Sequence, residues 1–213
     1  QMSTWILEVA RGVSTRLTFN GGSTPSWSPD GKHVYYTTRR RIHRKAADGS
    51  GEEELVLEGF VNGVLTGVSP DGRHLLYTSS NDIWKLPLTG ERKPEAYLQT
   101  KFAEQGWGFS PDGSWVVYRS NESGQEEIYV QGFPDRRGKW QVSAGGGSWA
   151  AWRADGKELY WASRNGTLMA ANMSLQGAAV QPGKPEPLFP LANLVGSTPF
   201  APSRDGQRFL VLE

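Results

Sequence analysis

Few residues in this chain of 213 residues have the types and spacing that catalysis or metal binding requires. The three histidines, His33, His43 and His74, show neither the i, i+4 nor the His-x-His spacing that zinc ligands often have. The sequence contains no cysteine, which excludes disulfides, thiolate metal ligands and a cysteine nucleophile. We therefore expect no metal site.

The motifs of common enzyme classes are also incomplete. No serine stands in the Gly-x-Ser-x-Gly sequence that exposes the nucleophile of many hydrolases. The run Gly145-Gly146-Gly147 lacks the Lys-Ser/Thr pair that follows the glycines of a phosphate-binding loop. A tight connection between two strands explains this run better. The sequence predicts neither a catalytic residue nor a bound cofactor.

An Asp-Gly pair recurs along the whole chain and indicates which elements position the other residues. Five copies follow one another at steps of 41, 41, 43 and 50 residues, the first three within Ser-Pro-Asp-Gly. Proline presets φ in a turn, aspartate bonds nearby backbone N–H groups, and glycine supplies a positive φ. We interpret all five aspartates as turn formers. The pairs are Asp30-Gly31, Asp71-Gly72, Asp112-Gly113, Asp155-Gly156 and Asp205-Gly206.

Large apolar residues alternate with other residues on both sides of each turn, and this period of two predicts a β-hairpin. Val34 and Tyr36, for example, correspond to Leu75 and Tyr77 in the next copy. Two further strands follow each hairpin. Four short antiparallel strands about every 42 residues are typical of a β-propeller blade.

The predicted fold class is all-β: a five-bladed β-propeller of four-stranded antiparallel blades in a single domain, residues 1–213. The fifth blade is shared between 1–19 and 197–213, and strands within 4–19 pair with strands within 197–212 to close the ring. The alternative is an arc cut from a larger ring. The other four blades are expected at about 24–58, 64–99, 105–143 and 147–190.

The charges nearly cancel, with 23 Lys+Arg against 22 Asp+Glu, which argues against a nucleic-acid or other polyanion binder. The sharpest local feature is the basic run 39–45, which is followed by the acidic run 52–54. A third strand lies beside the fourth strand of its blade, so the two runs can neutralise each other across the sheet. An anionic partner for the arginines is the alternative.

The sequence contains no apolar run near the roughly 20 residues of a membrane helix, so we expect no membrane insertion. Residues 1–5 do not begin a signal peptide. We expect either a cytoplasmic protein or a piece of a longer chain, and a chain without cysteine is stable in either redox setting.

The repeats resemble the WD40-like (PD40) repeats of TolB-type β-propellers over nearly the whole chain. Residues 82–94, and 120–124 with 138–143, are similar to the propeller region of some bacterial membrane serine/threonine kinases. The sequence has no Gly-rich loop, His-Arg-Asp or Asp-Phe-Gly motif of a kinase itself. The run Arg39-Arg40-Arg41 departs from the Asn-Asp type of loop expected in that blade.

The resemblance implies a non-catalytic binding or sensor module, the extracytoplasmic (periplasmic) interaction domain of a larger bacterial signalling protein. A TolB-like periplasmic protein-binding propeller is one alternative. An enzyme or peptidase-gate propeller that uses the axial channel is another. The expected ligand is a protein, a peptide or a small molecule and not nucleic acid, and the isolated domain is expected to be monomeric.

Each Asp-Gly turn joins the first strand of a blade to the second. We expect the binding residues on the opposite side, in the loops after the second strands and in the loops that connect each fourth strand to the first strand of the next blade. Arginine and aromatic side chains carry much of the binding energy at protein interfaces. The alternative for the aromatic residues Phe60, Phe102 and Trp149 is burial between blades, and for Trp149, which lies within a first strand, the two alternatives are equal. The expected binding residues are Arg39, Arg40, Phe60, Asn81, Phe102, Asn121, Trp149 and Arg164.

Overall fold

The structure is a computed structural model built from β-strands, turns and irregular connections. The all-β class predicted from the sequence is confirmed. In the described part of the chain, no helix is long and apolar enough to cross a membrane. The residues described are 2–61, 63–176, 179–191 and 200–211.

The chain divides into two compact units. Unit 1 comprises Gln1–Ser80 and Trp84–Glu95. Unit 2 comprises Asn81–Ile83 and Ala96–Glu213. Both units are built from antiparallel sheets in which consecutive strands pair, as the repeated hairpins predict.

Unit 1 opens with a two-stranded sheet and continues with a four-stranded sheet. In the second sheet the basic strand β5 lies between β4 and β6, so the predicted neighbourhood of the basic and acidic runs is confirmed. The strands are β1 (Trp5–Glu8), β2 (Val13–Arg16), β3 (Ser23–Trp27), β4 (His33–Thr38), β5 (Arg41–Ala46) and β6 (Glu54–Glu58).

The next sheet has four strands in the order β7-β8-β9-β10, and the division between the units falls within it. Its first hairpin contains the second Asp-Gly pair. The strands are β7 (Val64–Val68), β8 (His74–Ser79), β9 (Asp82–Pro87) and β10 (Glu95–Leu98).

The core of unit 1 forms where the alternating apolar residues of its sheets face each other. Ile42, Leu75 and Leu86 are completely buried, and each such side chain stabilises the fold by about 1.5–3 kcal/mol relative to exposure. The buried members are Tyr35, Ile42, Val56, Phe60, Leu65, Leu75, Tyr77 and Leu86.

Unit 2 contains a four-stranded sheet, a five-stranded sheet and a two-stranded sheet. The four-stranded sheet follows the predicted pattern. Its strands are β11 (Glu104–Phe109), β12 (Trp115–Ser120), β13 (Glu127–Gly132) and β14 (Lys139–Gln141). The remaining strands are β15 (Gly147–Trp152), β16 (Glu158–Ser163), β17 (Thr167–Gln176), β18 (Ala179–Pro182), β19 (Glu186–Pro190), β20 (Phe200–Pro202) and β21 (Phe209–Val211).

The five-stranded sheet differs from the four-stranded blade that the sequence predicts. The long strand β17 pairs with β19 along its first half and with β18 along its second half. Met173 and Val180 of this additional hairpin are buried in the core of unit 2. Their burial stabilises the extra hairpin, and the insertion accounts for the longest step between Asp-Gly pairs.

The core of unit 2 is rich in tryptophan. Trp115, Trp152 and Trp161 are buried between the sheets of β11–β14 and β15–β19. A second cluster joins β16 and β17 to the last hairpin through Tyr160, and Phe209 contacts the Tyr160 ring edge-on at 5.0 Å.

The first strands β3, β7, β11 and β15 each contain a register shift relative to their second strands, whereas β20 pairs with β21 without one. The shifts fall at 23/26, 65/67, 106/108 and 148/150, in β3, β7, β11 and β15. Such β-bulges bend a strand and redirect its side chains. Two bulge residues that are not glycine, Thr24 and Trp149, have φ of 46° and 47°.

The described ends of the chain form two separate hairpins, β1 with β2 and β20 with β21. Pairing of one hairpin with the other, which would complete the fifth blade, is not among the strand pairs of the described residues. Part of the expected C-terminal segment, 197–199 and 212–213, lies outside those residues. The closed five-bladed ring stays a prediction.

Candidate functional site

Each Asp-Gly turn is closed by its own side chains. In the first turn, Ser28 Oγ donates to Asp30 Oδ1 at 2.6 Å, and the Lys32 N–H donates to the same oxygen at 3.0 Å. The His33 N–H donates to Ser28 Oγ at 2.9 Å. Gly31 has φ of 69°, which glycine adopts readily. These hydrogen bonds, above all that from Ser28, hold the pKa of Asp30 below its usual value.

Three other turns repeat the bond from serine to aspartate. In the fourth turn Arg153 replaces the serine, and its Nε and Nη2 donate to the Asp155 carboxylate at 2.7 and 2.9 Å. This pair lowers the pKa of Asp155 to about 2. We name the ends of the sheets that carry the Asp-Gly turns the turn ends. The aspartates there are hydrogen-bonded within their own turns. The repeated pairs are Ser69 with Asp71, Ser110 with Asp112, and Ser203 with Asp205.

The opposite ends of the sheets, which we name the loop ends, carry two kinds of connection. One joins the second strand to the third, and the other joins the fourth strand to the next first strand. Backbone hydrogen bonds hold the two kinds together: the Phe60 N–H donates to Arg40 O at 3.2 Å in unit 1, and the Glu104 N–H donates to Asn81 O at 2.8 Å in unit 2. Expected binding residues of both kinds are therefore neighbours within each unit.

The loop end of unit 1 contains a depression of about 460 Å³. Arg39 and Arg40 are exposed at its border, and within the described part of the chain their guanidinium groups form no ion pair. Arg39 has φ of 49°, a left-handed conformation that is uncommon for residues other than glycine. The lining residues are Asn20, Thr38, Arg39, Arg40, Arg41, His43, Glu53 and Glu58.

Other arginines of the basic run are neutralised across the sheet, as the sequence predicts. Arg41 Nε and Nη2 donate to Glu58 Oε1 at 2.9 and 2.6 Å. Arg44 pairs with Glu54 at 2.7 Å, and Arg92 binds the other oxygen of Glu54. The hydrogen bond from Arg92 is the main reason that the pKa of Glu54 is lowered.

A buried histidine lies beneath the two unpaired arginines. The His43 ring stacks on Tyr36 with ring centroids 5.7 Å apart, and 9% of the residue is exposed. The Tyr36 hydroxyl donates to Glu53 Oε2 at 2.7 Å, and burial together with this carboxylate raises the pKa of Tyr36. His43 Nδ1 is buried and, among the described residues, makes no hydrogen bond.

Asn121 and Asn81, two of the expected binding residues, form hydrogen bonds with the segment that leads from β10 into β11. Asn121 Oδ1 accepts from the Ala103 N–H at 3.0 Å, while the Asn81 carbonyl accepts from the Glu104 N–H. Phe102, at the tip of this loop, is half-buried, and Lys101 Nζ lies 5.1 Å from the centre of its ring. The Asn121 side chain thus has a structural role that the sequence did not reveal, whereas Asn81 contributes its backbone carbonyl, and the binding role of both stays a prediction.

Glu104 is a buried carboxyl group at the start of β11. Only 3% of the residue is exposed. Thr100 Oγ1 donates to its Oε1, while Oε2 has no hydrogen-bond partner among the described residues. Burial raises the pKa of Glu104, and the charges of Asp82 and Glu122 raise it further, against the opposing effect of Thr100.

A second buried carboxylate explains the glycine run of unit 2. The Gly145 and Gly146 N–H groups each donate to Glu127 Oε1 at 2.8 Å. Gln125 Nε2 donates to the same oxygen, and Ser143 Oγ donates to Oε2. The loop is therefore the tight connection predicted from the sequence, and its backbone donors bind a carboxylate of the chain itself.

Unit 2 also has a depression at its loop end, of about 510 Å³. Arg164 is exposed there and forms no ion pair with any described residue. Gly146 has φ of 100°, and a Cβ at this position would lie 2.8 Å from Arg164 Cβ, so the close approach requires glycine. The lining residues are Ala144, Gly145, Gly146, Trp161, Ser163, Arg164, Asn165, Thr167, Met169, Pro185 and Pro187.

Two of the expected aromatic contacts face the interior. Phe60 is 3% exposed and packs edge-on against Tyr77, so its expected exposure is wrong: packing in the core of unit 1 determines its place. Trp149 is half-buried against Trp107 with ring centroids 4.4 Å apart. Trp107 Nε1 is buried and unbonded among the described residues.

Comparison with known proteins identifies the fold. No protein-family model and no curated protein matches the chain. TolB from Acinetobacter baumannii gives a TM-score of 0.72 at 22% identity, covering 96% of this chain and 52% of that one. The putative TolB from Agrobacterium tumefaciens gives 0.72 at 21% identity, with 99% and 88% covered. The Cps50 (Swd1) beta-propeller domain of Myceliophteria thermophila gives 0.67 at 12%, with 97% and 71% covered.

The chain has the β-propeller fold. The predicted TolB-type, WD40-like resemblance of the fold is thereby confirmed. This propeller spans about half the length of the Acinetobacter TolB chain.

The loop ends of the propeller bring together only some of the expected binding residues. Arg39 and Arg40 border one depression, and Arg164 lines the other. No sequence pattern indicates the buried positions of Glu104 and Glu127, and His43 draws attention only as a histidine without a zinc spacing, because the environments of all three depend on distant parts of the chain. The described residues contain no group of three or more histidine or acidic side chains that could hold a metal ion.

Proposed function

We propose that this propeller is a non-catalytic module that binds a protein or peptide at its loop ends. The observation that carries the proposal is the position of three arginines that form no ion pair among the described residues: Arg39 and Arg40 at one depression, and Arg164 at the other. Arginine is enriched among the residues that dominate binding energy at protein interfaces. The turn ends offer a poorer surface, because their aspartates are bonded within the turns.

The two depressions differ in the ligands that they suit. The depression beside Arg164 combines a guanidinium group with apolar side chains, Met169, Pro185 and Pro187. This combination suits a peptide that has both an apolar and an acidic or carbonyl group. The depression beside Arg39 is more polar. Of its seven other lining residues, six are arginine, histidine, glutamate or asparagine.

The module would belong to a larger bacterial protein. The resemblance of 82–94 to kinase-associated propellers supports a sensor region on the extracytoplasmic side of the membrane. The alternative is a TolB-like periplasmic protein, which would also have a binding function. The likeness in fold to two TolB structures supports this alternative. A kinase domain and a membrane helix encoded upstream of Gln1 would favour the sensor.

Selection of a displayed peptide library on the immobilised propeller tests the binding function. Hydrogen exchange then identifies the backbone amides that an enriched peptide protects. We expect protection at 38–41 and 58–61, or at 144–146 and 163–167. Protection confined to the Asp-Gly turns would contradict the proposal, and so would a library from which no peptide is enriched.

A further inference from the structure

We propose that the depression of unit 1 binds a carboxylate group of an acidic peptide segment through Arg39 and Arg40. The inference rests on the proposed function and adds the ligand chemistry of one of its two depressions. Two features support it: guanidinium groups that form no ion pair among the described residues, and the balance of charge in the wall.

The guanidinium groups provide the first contact. Arg39 and Arg40 are exposed and, among the described residues, unpaired, whereas Arg41 beside them binds Glu58 at 2.6 Å. Planar guanidinium groups bind carboxylates through two parallel hydrogen bonds. Arg41 shows that a guanidinium group at the rim of the depression can bind a carboxylate, because its Nε and Nη2 both donate to Glu58 Oε1. Arg39 and Arg40 have no such acceptor among the described residues.

The imidazole of His43 forms part of the wall of the depression. Its ring lines the depression and is fixed by stacking on Tyr36, whose hydroxyl is in turn bonded to Glu53. His43 Nδ1 makes no hydrogen bond among the described residues although it is buried. The buried, stacked ring therefore fixes the shape of the wall, and the exposed guanidinium groups are the side chains that can contact a ligand.

The charges of the wall favour a carboxylate over a phosphate or a polyanion. Three arginines and two glutamates line the depression, so its formal charge is +1 when His43 is neutral. A single carboxylate cancels this charge. A phosphate dianion would exceed it and would face the carboxylates Glu53 and Glu58 at close range. The net charge of +1 for the whole chain gives a polyanion no additional attraction.

Fluorescence anisotropy with a labelled, end-capped hexaglutamate peptide tests the inference. Hexaglutamine, equal in length but uncharged, is the control peptide, and inorganic phosphate is the competitor that represents a free anion. The variant is Arg39→Gln with Arg40→Gln. Its matched control is Lys32→Gln with Arg73→Gln, which removes the same charge from exposed positions of unit 1 at the turn ends. Urea unfolding verifies that both variants remain folded.

We expect the Arg39/Arg40 variant to bind hexaglutamate about tenfold or more weakly, and the control variant to bind it nearly as the parent does. An equal loss in both double variants would overturn the inference, because it would indicate general attraction to positive charge. Equal binding of hexaglutamine, or stronger competition by phosphate than by acetate, would overturn it too.

The inference and the proposed function can fail separately. If the Arg39→Gln, Arg40→Gln variant binds hexaglutamate as tightly as the parent does, the carboxylate site is refuted. Library peptides that still protect the loop ends in hydrogen exchange would then leave the proposed function standing. If neither peptide class binds the loop ends, both are wrong.

Discussion

The turn ends and the loop ends of the sheets differ in how their charged groups are used. At the turn ends, Asp30 accepts from Ser28 and from the backbone of Lys32, and Arg153 binds Asp155. At the loop ends, Arg39 and Arg164 form no ion pair in the described part of the chain. The repeated motif thus serves the fold, while the positions that vary from copy to copy leave charge available for a partner.

Buried carboxylates show that the loop ends are not uniform either. Glu127 receives hydrogen bonds from two glycine N–H groups, a serine and a glutamine, whereas one oxygen of Glu104 has no partner among the described residues. A buried polar group stabilises a fold only when its hydrogen bonds are complete. The two glutamates should therefore respond to substitution in opposite ways.

Glu127→Ala should cause the largest loss of stability. It leaves the N–H groups of Gly145 and Gly146 and the Ser143 hydroxyl without their acceptor, and we expect a loss of about 3–5 kcal/mol in the free energy of unfolding. Urea denaturation measures this loss. Glu126→Ala, which removes an exposed carboxylate paired with Arg119, is the control and should cost less than about 1 kcal/mol. Similar losses in the two variants would contradict the role given to Glu127.

Ser110→Ala should show that the serine of the turn motif is structural. Ser110 is completely buried, and its Oγ accepts from the Trp115 N–H at 3.0 Å and donates to Asp112. An unbonded buried N–H costs about 1–3 kcal/mol. The same change at Ser28, where water can reach the turn, should cost less. A variant that kept its unfolding midpoint but lost peptide binding would refute the division between turn ends and loop ends.

Asp155 should stabilise the fold except in strong acid. Its pKa in the folded state is about 2, below the ordinary value of 3.8, because Arg153 favours the charged form. The contribution is therefore complete above the ordinary pKa and is lost as the pH falls towards 2. As the pH is lowered from 6 to about 2, the urea concentration at the unfolding midpoint should fall less steeply for Asp155→Asn than for the parent. Parallel curves would show that the pair does not contribute.

Glu104 should have the opposite dependence on pH and the smallest effect. Its raised pKa means that the folded state favours the neutral acid, so this contribution to stability is lost as the pH rises through that pKa. Glu104→Gln removes the titration and should flatten the decline in stability between the ordinary pKa and neutral pH. Gln105→Glu, at a less buried neighbouring position, is a control that should not flatten it. An unchanged slope in Glu104→Gln would contradict the raised pKa.

The repeats predict the fold because turns and strands depend on residues that are close together in the sequence. The Asp-Gly turns and the period of two on either side were sufficient to indicate β3, β4, β7, β8, β11 and β12. The β17–β18 hairpin was missed because it has no turn motif of the repeat. Its stability comes from the burial of Met173 and Val180, which depends on packing against another sheet.

The binding residues were less predictable for the same reason. The run 39–45 indicates the basic patch directly, but the sequence does not show that Arg41 and Arg44 are neutralised while Arg39 and Arg40 are not. Phe60 was misplaced because its ring packs on Tyr77, a residue of the following hairpin. Contacts between sheets determine such exposures, and no local pattern encodes them.

Charge reversal at the two kinds of end tests the central claim most directly. One variant carries Arg39→Glu with Arg164→Glu at the loop ends, and its control carries Lys32→Glu with Arg73→Glu at the turn ends, so that both change the net charge equally. The dissociation constant of a library-selected peptide and the free energy of unfolding are measured for each. We predict that the loop-end variant binds about tenfold or more weakly with nearly unchanged stability, while the control binds like the parent. Weaker binding in the control alone would show that the binding surface lies at the turn ends.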